Sequence, residues 1–199
     1  MTPLAREDGE SRRERILAAA RKVFREKGYD RTTVSDVVHE AGVAQGTFYL
    51  YFPSKKDAFL ALARQLPELM TRAVMGAADP ALPFDERIRR MTRAGFECCQ
   101  SNEELVRLIK FGADSIAAEV QAEYLKSHPL ATALAEMFTR DMERGEIDLV
   151  EPEITARLIL GMYENAFVQA AALGDQMDEA KLEKALSDLV IRALKRRGT

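Results

Sequence analysis

The chain has 199 residues, 47% of them hydrophobic and 31% charged, a composition that fits an ordinary globular protein and excludes a disordered one. No stretch approaches the roughly 20 apolar residues a membrane helix needs. The opening "MTPLAREDGESRRER" lacks the apolar core of a signal peptide, so the expected setting is cytoplasmic, with no membrane partner. The formal net charge of −3 divides unevenly: residues 1–66 carry 12 Lys+Arg against 9 Asp+Glu, and the remainder 17 against 23. A basic first third on an acidic remainder suggests a nucleic-acid-binding head on a body with another task.

Taken in chain order, nearly everything reads at helical period. Over residues 11–27, Ile16, Leu17, Ala20, Val23 and Phe24 form one stripe opposite Arg12, Arg15, Lys22 and Glu26, and Gly28 is a helix stop. Thr33 is placed to cap a second helix that buries Val34, Val37, Val38 and Ala41 and ends at Gly42. Its three valines are poor helix formers, so packing must hold it. A third helix covers 45–51, and Pro53 blocks its continuation. Ser54 with Asp57 approximates a capping box for a fourth helix carrying Phe59, Leu60, Leu62, Ala63 and Leu66, expected to bend or break at Pro67. After the linker "GAADPALPF" (76–84), helices are expected at 85–100, 103–118, 119–127, 130–145, 153–173 and 178–196. No run alternates as a strand would. The fold class is all-α.

Residues 34–51 make two short helices joined at Gly42-Val43-Ala44, the layout of a helix-turn-helix whose second helix enters the major groove. Phe48 and Phe52, four apart, pack inward, which leaves Gln45, Thr47, Tyr49 and Leu50 outward. Gly46 allows close backbone approach. The hydroxyls of Thr47, Tyr49 and Tyr51 suit phosphate oxygens. Lys55 stands in a first helical turn, where the macrodipole disfavours a cation unless an anion lies there too. An aromatic core with solvated lysines accounts for Phe48 and Phe52 but leaves the outward Tyr49 and the lysine pair without a reason.

The stretch "TTVSDVVHEAGVAQGTFYLYFPSKKDAF" resembles the DNA-binding motif of the tetracycline-repressor (TetR) family of bacterial transcriptional regulators. Thr33, Gly42, Val43, Gly46, Thr47, Tyr49, Tyr51, Phe52, Ser54, Lys55 and Asp57 match its pattern in order and spacing. Ala44 stands where a hydroxyl residue is common, and Gln45 where Lys or Arg often is. The resemblance is specific over residues 11–66. For the remainder it implies a layout only: about nine helices, with helices four to seven around a ligand cavity and eight and nine forming a dimer interface. It also implies a repressor that releases double-stranded operator DNA on binding a small molecule. The expected DNA-contacting residues are Thr33, Ala44, Gln45, Gly46, Thr47, Tyr49, Leu50, Tyr51 and Lys55.

The body offers little catalytic chemistry. His39 and His128 lie in no metal-binding spacing, and there is no phosphate loop or serine elbow, so neither an enzyme nor a metal or other cofactor is expected. Cys98 and Cys99 are adjacent, which argues against a framework disulfide and reads best as two small buried residues. Over 153–173, Ile154, Leu158, Ile159, Met162, Tyr163, Ala166, Phe167 and Ala170 leave little polar face, and over 178–196 Leu182, Leu186, Leu189, Val190 and Ala193 share one stripe. A homodimer interface is therefore expected at Ala166, Ala170, Leu182, Leu186, Leu189, Val190 and Ala193. An ordinary intrachain core would give the same pattern. Phe96, Cys99, Phe111, Tyr124, Met137, Phe138 and Met162 are candidates for an effector cavity. Asn165 and Gln169, read as buried amides in need of partners, complete the set.

The expected organisation is a helix-turn-helix domain over 1–52, a fourth helix linking from Ser54, and a ligand-binding and dimerisation domain over 53–199. The competing readings are a DNA-binding regulator controlled by a protein partner, and an all-α enzyme or carrier with a helix-turn-helix-like corner.

Overall fold

A computed structural model describes residues 3–126, 128–148, 151–173 and 178–196. Its helices are α1 (Pro3–Lys27), α2 (Val34–Ala41), α3 (Gln45–Tyr51), α4 (Lys55–Ala63), α5 (Gln65–Gly76), α6 (Phe84–Ser101), α7 (Glu103–Phe111), α8 (Ala117–Lys126), α9 (Pro129–Glu143), α10 (Pro152–Leu173) and α11 (Glu179–Leu194), with a 3₁₀ turn at Asp114–Ile116 before α8. No strand forms among the described residues, and no helix there is long and apolar enough to cross a membrane. The boundary at residue 127 and the "GDQM" segment at 174–177 lie outside the described residues.

The chain divides into two compact units. One comprises the chain up to Leu66 together with Glu104–Lys126; the other holds Pro67–Glu103 and the chain from His128 on. The first unit includes α4, which packs on α1 through aromatic rings. Phe24, Tyr29 and Phe59 form a three-ring cluster with centroids 5.1–5.6 Å apart. The α1 stripe is buried as its period requires: Ile16 and Ala20 are fully covered.

The first helix begins at Pro3 and not at residue 11, and two further helix ends differ from expectation for physical reasons. The fourth helix breaks at Arg64, not at Pro67. The Pro67 ring lacks an N–H and would crowd the carbonyl four residues earlier, so α4 stops at Ala63 and Pro67 occupies the first turn of α5, where no donor is needed. The helix expected over 103–118 ends at Phe111. Gly112 donates its N–H to the Leu108 carbonyl at 2.9 Å, and a Cβ at Gly112 would lie 2.5 Å from that oxygen. The Gly112 carbonyl accepts from the Tyr29 N–H at 3.1 Å, tying this turn to the end of α1.

In the second unit α6 packs on α11 and α9 on α10. A fully buried Arg87 on α6 forms an ion pair with Asp141 of α9 at 2.7 Å and donates a hydrogen bond to Glu146 at 3.1 Å. Burial pushes the Asp141 carboxyl up, against the opposing pull of the Arg87 guanidinium. Buried ion pairs of this kind fix a register more than they add net stability.

Candidate nucleic-acid interface and ligand cavity

The start of α2 is held by a complete capping box: the Thr33 hydroxyl accepts from the Asp36 N–H at 3.2 Å, and the Thr33 N–H donates to the Asp36 carboxylate at 2.9 Å. The Lys27 ammonium, 2.6 Å from Asp36, and these donors hold its carboxyl far below the usual carboxylate range. Gly42 then takes the left-handed conformation, φ 62°, and its N–H closes on the His39 carbonyl. The turn therefore delivers α3 at a fixed angle to α2.

On α3 the fully buried Phe48 and the Phe52 ring beyond its end, centroids 5.7 Å apart, point to the core. Ala44, Gln45 and Gly46 are exposed, Tyr49 is 49% exposed and Leu50 81% exposed; Thr47 and Tyr51 are half-buried. The Tyr49 ring stands edge-on to Phe48, at 88° with centroids 5.5 Å apart. The Arg13 guanidinium of α1 lies over the Phe52 ring at 5.2 Å.

The Lys55 reading needs correction. Its ammonium donates to the Tyr29 carbonyl at 2.7 Å and the Thr32 carbonyl at 2.8 Å, and sits 4.2 Å above the Tyr29 ring. This lysine fastens the start of α4 to the turn after α1, and that structural role explains a cation at a helix start without any external anion. The exposed cation at this position is its neighbour Lys56.

The second unit contains an apolar cavity of about 50 Å³ between α5, α6, α9, α10 and α11. Met70, Val74, Met91, Phe138, Tyr163 and Phe167 form much of its wall. Of the cavity residues expected from the sequence, Phe138 alone is among the lining residues. Phe96 is buried against Phe167, at 4.9 Å, one layer out; Cys99 lies behind Met70, sulfur to sulfur 3.8 Å; Met137 is buried elsewhere. Phe111 is half exposed and belongs to the other unit, so it is not a cavity residue. The Tyr124 side chain lies outside the described ones. Met162 is half-buried, and Asn165 and Gln169 are exposed and hydrogen-bond to each other, which corrects their reading as buried amides.

Thr92, which the sequence reading misses, and Tyr163, read there only as part of an apolar stripe, meet in the cavity wall with their hydroxyls 2.7 Å apart. A hydroxyl residue on the apolar stripe Phe84, Ile88, Met91, Gly95 of α6 is the available signal. Burial pushes the Tyr163 hydroxyl up to about 12.

The expected interface residues separate by face. Ala166, Ala170, Leu186 and Val190 turn inward and are buried within the unit, so they are core. The outward face of α10 and α11 carries Ile154 (56% exposed), Leu158 (70%), Leu189 (54%), the exposed Ala193 and the half-buried Leu182.

Residues 16–62 match the family model described as bacterial regulatory proteins, tetR family. The chain is 29% identical over 199 residues to the HTH-type transcriptional regulator EthR of Mycolicibacterium smegmatis, spanning 93% of this chain and 85% of that one. It is 33% identical over 149 residues to the HTH-type transcriptional repressor KstR of Mycobacterium tuberculosis, spanning 72% and 64% respectively. Its fold superposes on that of Thermus thermophilus FadR, a TetR-family transcriptional repressor solved in complex with lauroyl-CoA, with a TM-score of 0.69, 24% identity, and coverage of 94% of this chain and 97% of that one.

Proposed function

Because this chain belongs to the tetR family of bacterial regulatory proteins, and is a helix-turn-helix transcriptional regulator, we propose that it acts in the cytoplasm as a homodimeric repressor released from its operator by a small, mostly apolar effector. The observation that carries the DNA reading is the outer face of α3. Gln45, Gly46, Tyr49 and Leu50 stand exposed on a helix whose other side is fixed by Phe48 and Phe52. Side chains so placed suit base edges and thymine methyls, and Tyr49 with Lys56 suits phosphates.

Dimerisation supplies the second recognition helix, which a two-fold operator requires about 34–36 Å away. The apolar outward face of α10 and α11, with Leu158 and Leu189, supports a second copy of this chain as the occupant. Release follows if the effector binds one spacing of the two heads better than another. The cavity supports this, because Met70 and Val74 in its wall belong to α5, the helix whose first residues Gln65 and Leu66 lie in the DNA-binding unit. A cavity of about 50 Å³ is far smaller than the roughly 300–1,000 Å³ of drug-sized sites, so entry must push that wall outward.

Selection of bound duplexes from a random pool tests the reading. Recovery of a two-fold site with half-sites one helical turn apart is the expected result; recovery of no shared sequence sinks it.

A further inference from the structure

We infer that the effector is uncharged where the cavity encloses it and presents one neutral oxygen, such as an alcohol, ketone or ester carbonyl, to the Thr92–Tyr163 hydroxyl pair. The inference rests on the effector reading above and specifies the chemistry of that cavity.

Proton counting leads to it. Thr71 and Thr139 each return their hydroxyl to the carbonyl four residues earlier, at 2.7 and 2.9 Å, as helical threonines commonly do. Thr92 instead pairs with Tyr163, 2.7 Å away across α6 and α10. Two hydroxyls bring two protons, and their mutual bond uses one. The other proton has no partner among the described residues, in a wall otherwise made of aliphatic, aromatic and thioether groups. Thr92 is buried and Tyr163 half-buried, so a donor left unmatched between them is costly, and a ligand oxygen would satisfy it.

Charge decides what kind of oxygen. Among the described residues, no lysine, arginine or histidine lines the cavity. The buried Arg87 is already matched by Asp141 and Glu146, and His128 lies 3.2 Å from Glu164. The charge that acts on Tyr163 is the negative one of Glu183, which with burial keeps the phenol protonated. An enclosed carboxylate would meet no countercharge, and a buried unpaired ion is far more costly than a buried hydroxyl. Shape adds a limit. A Cβ at Gly95 would come 3.3 Å from the Phe167 ring, and Met70 and Met91 are the adaptable parts of the wall, so a slim chain fits better than a fused-ring body.

Three probes of similar length separate the possibilities: 1-decanol, 2-undecanone and decanoate, each titrated calorimetrically into the intact dimer near pH 7.5 and each added to a complex with the selected operator. The alcohol and ketone are expected to bind about tenfold or more tightly than decanoate. Tyr163→Phe, which keeps the ring, should weaken the two neutral probes about three- to tenfold and leave decanoate nearly unchanged. Thr92→Ser should retain the preference that Thr92→Val loses, and thermal melts identify any variant that fails to fold. Decanoate binding as tightly as decanol, or Tyr163→Phe leaving a bound neutral probe unaffected, overturns the inference while the effector reading stands. If none of the three probes binds or releases the operator, the effector reading itself fails in this cavity, and the inference with it.

Discussion

Lys55 and Lys56 are neighbours in sequence and differ in surroundings, the first half-buried and the second exposed. Lys55 places its ammonium on the carbonyls of Tyr29 and Thr32 and over the Tyr29 ring, so Lys55→Met should cost about 1–3 kcal/mol of stability in denaturant unfolding. Its effect on operator binding should then follow from the loosened α4 start. Lys56→Ala should leave stability alone, weaken all duplexes alike and lower the log–log salt slope by about one unit. An unchanged slope would remove Lys56 from the phosphate contacts. Gln45→Ala should behave in a third way, relaxing preference at one or two base positions at a cost of roughly 1–3 kcal/mol on the best site. Tyr163 allows a pH test. Its hydroxyl titrates higher folded, near 12, than in an unfolded chain, near 10, so its contribution is complete below about pH 10 and is lost as pH rises through 12. Alkaline unfolding of Tyr163→Phe should therefore show a shallower fall over that window than wild type.

At the scale of helices, the period of apolar residues locates most elements, and the turn chemistry locates most ends. Thr33, Gly42, Ser54 and Pro129 stand at helix boundaries where their conformational preferences place them. Less is legible where two helices meet. The stripe on 153–173 is nearly all apolar, so nothing in its spacing tells Ala166 and Ala170, which are buried, from Leu158, which is exposed. That distinction depends on where α9 and α11 lie against α10. For the same reason the lining of this cavity is not legible in the sequence: its wall draws on five helices, and large apolar residues such as Phe96 and Met137 look alike whether they line a void or back it. Lys55 is misread from sequence because the carbonyls it serves lie 23 and 26 residues earlier in the chain. Gly112 offers a prediction at this scale. Gly112→Ala must move the Leu108 carbonyl or the turn, at a cost of about 1–3 kcal/mol, and should show in a lowered unfolding midpoint. An unchanged midpoint would mean the turn after α7 yields freely.

At the scale of the molecule, the proposed dimer and the proposed release are linked, because the two heads can be spaced only if two copies associate. Leu158→Glu with Leu189→Glu places charges on the exposed face of α10 and α11 and not in the core, so the monomer should remain folded. Light scattering should report a monomer, and affinity for the two-fold site should fall steeply while a single half-site binds as before. An intact dimer from the double variant would place the interface elsewhere. The most direct test of the whole account is a fluorescence anisotropy titration of the selected duplex and a scrambled duplex at several salt concentrations. Both should lose affinity linearly in log salt, with the selected duplex tighter by about 10³-fold or more at physiological salt, and Gln45→Ala should narrow that ratio. Equal affinity for the two duplexes, or a ratio that Gln45→Ala leaves untouched, would contradict recognition through the outer face of α3.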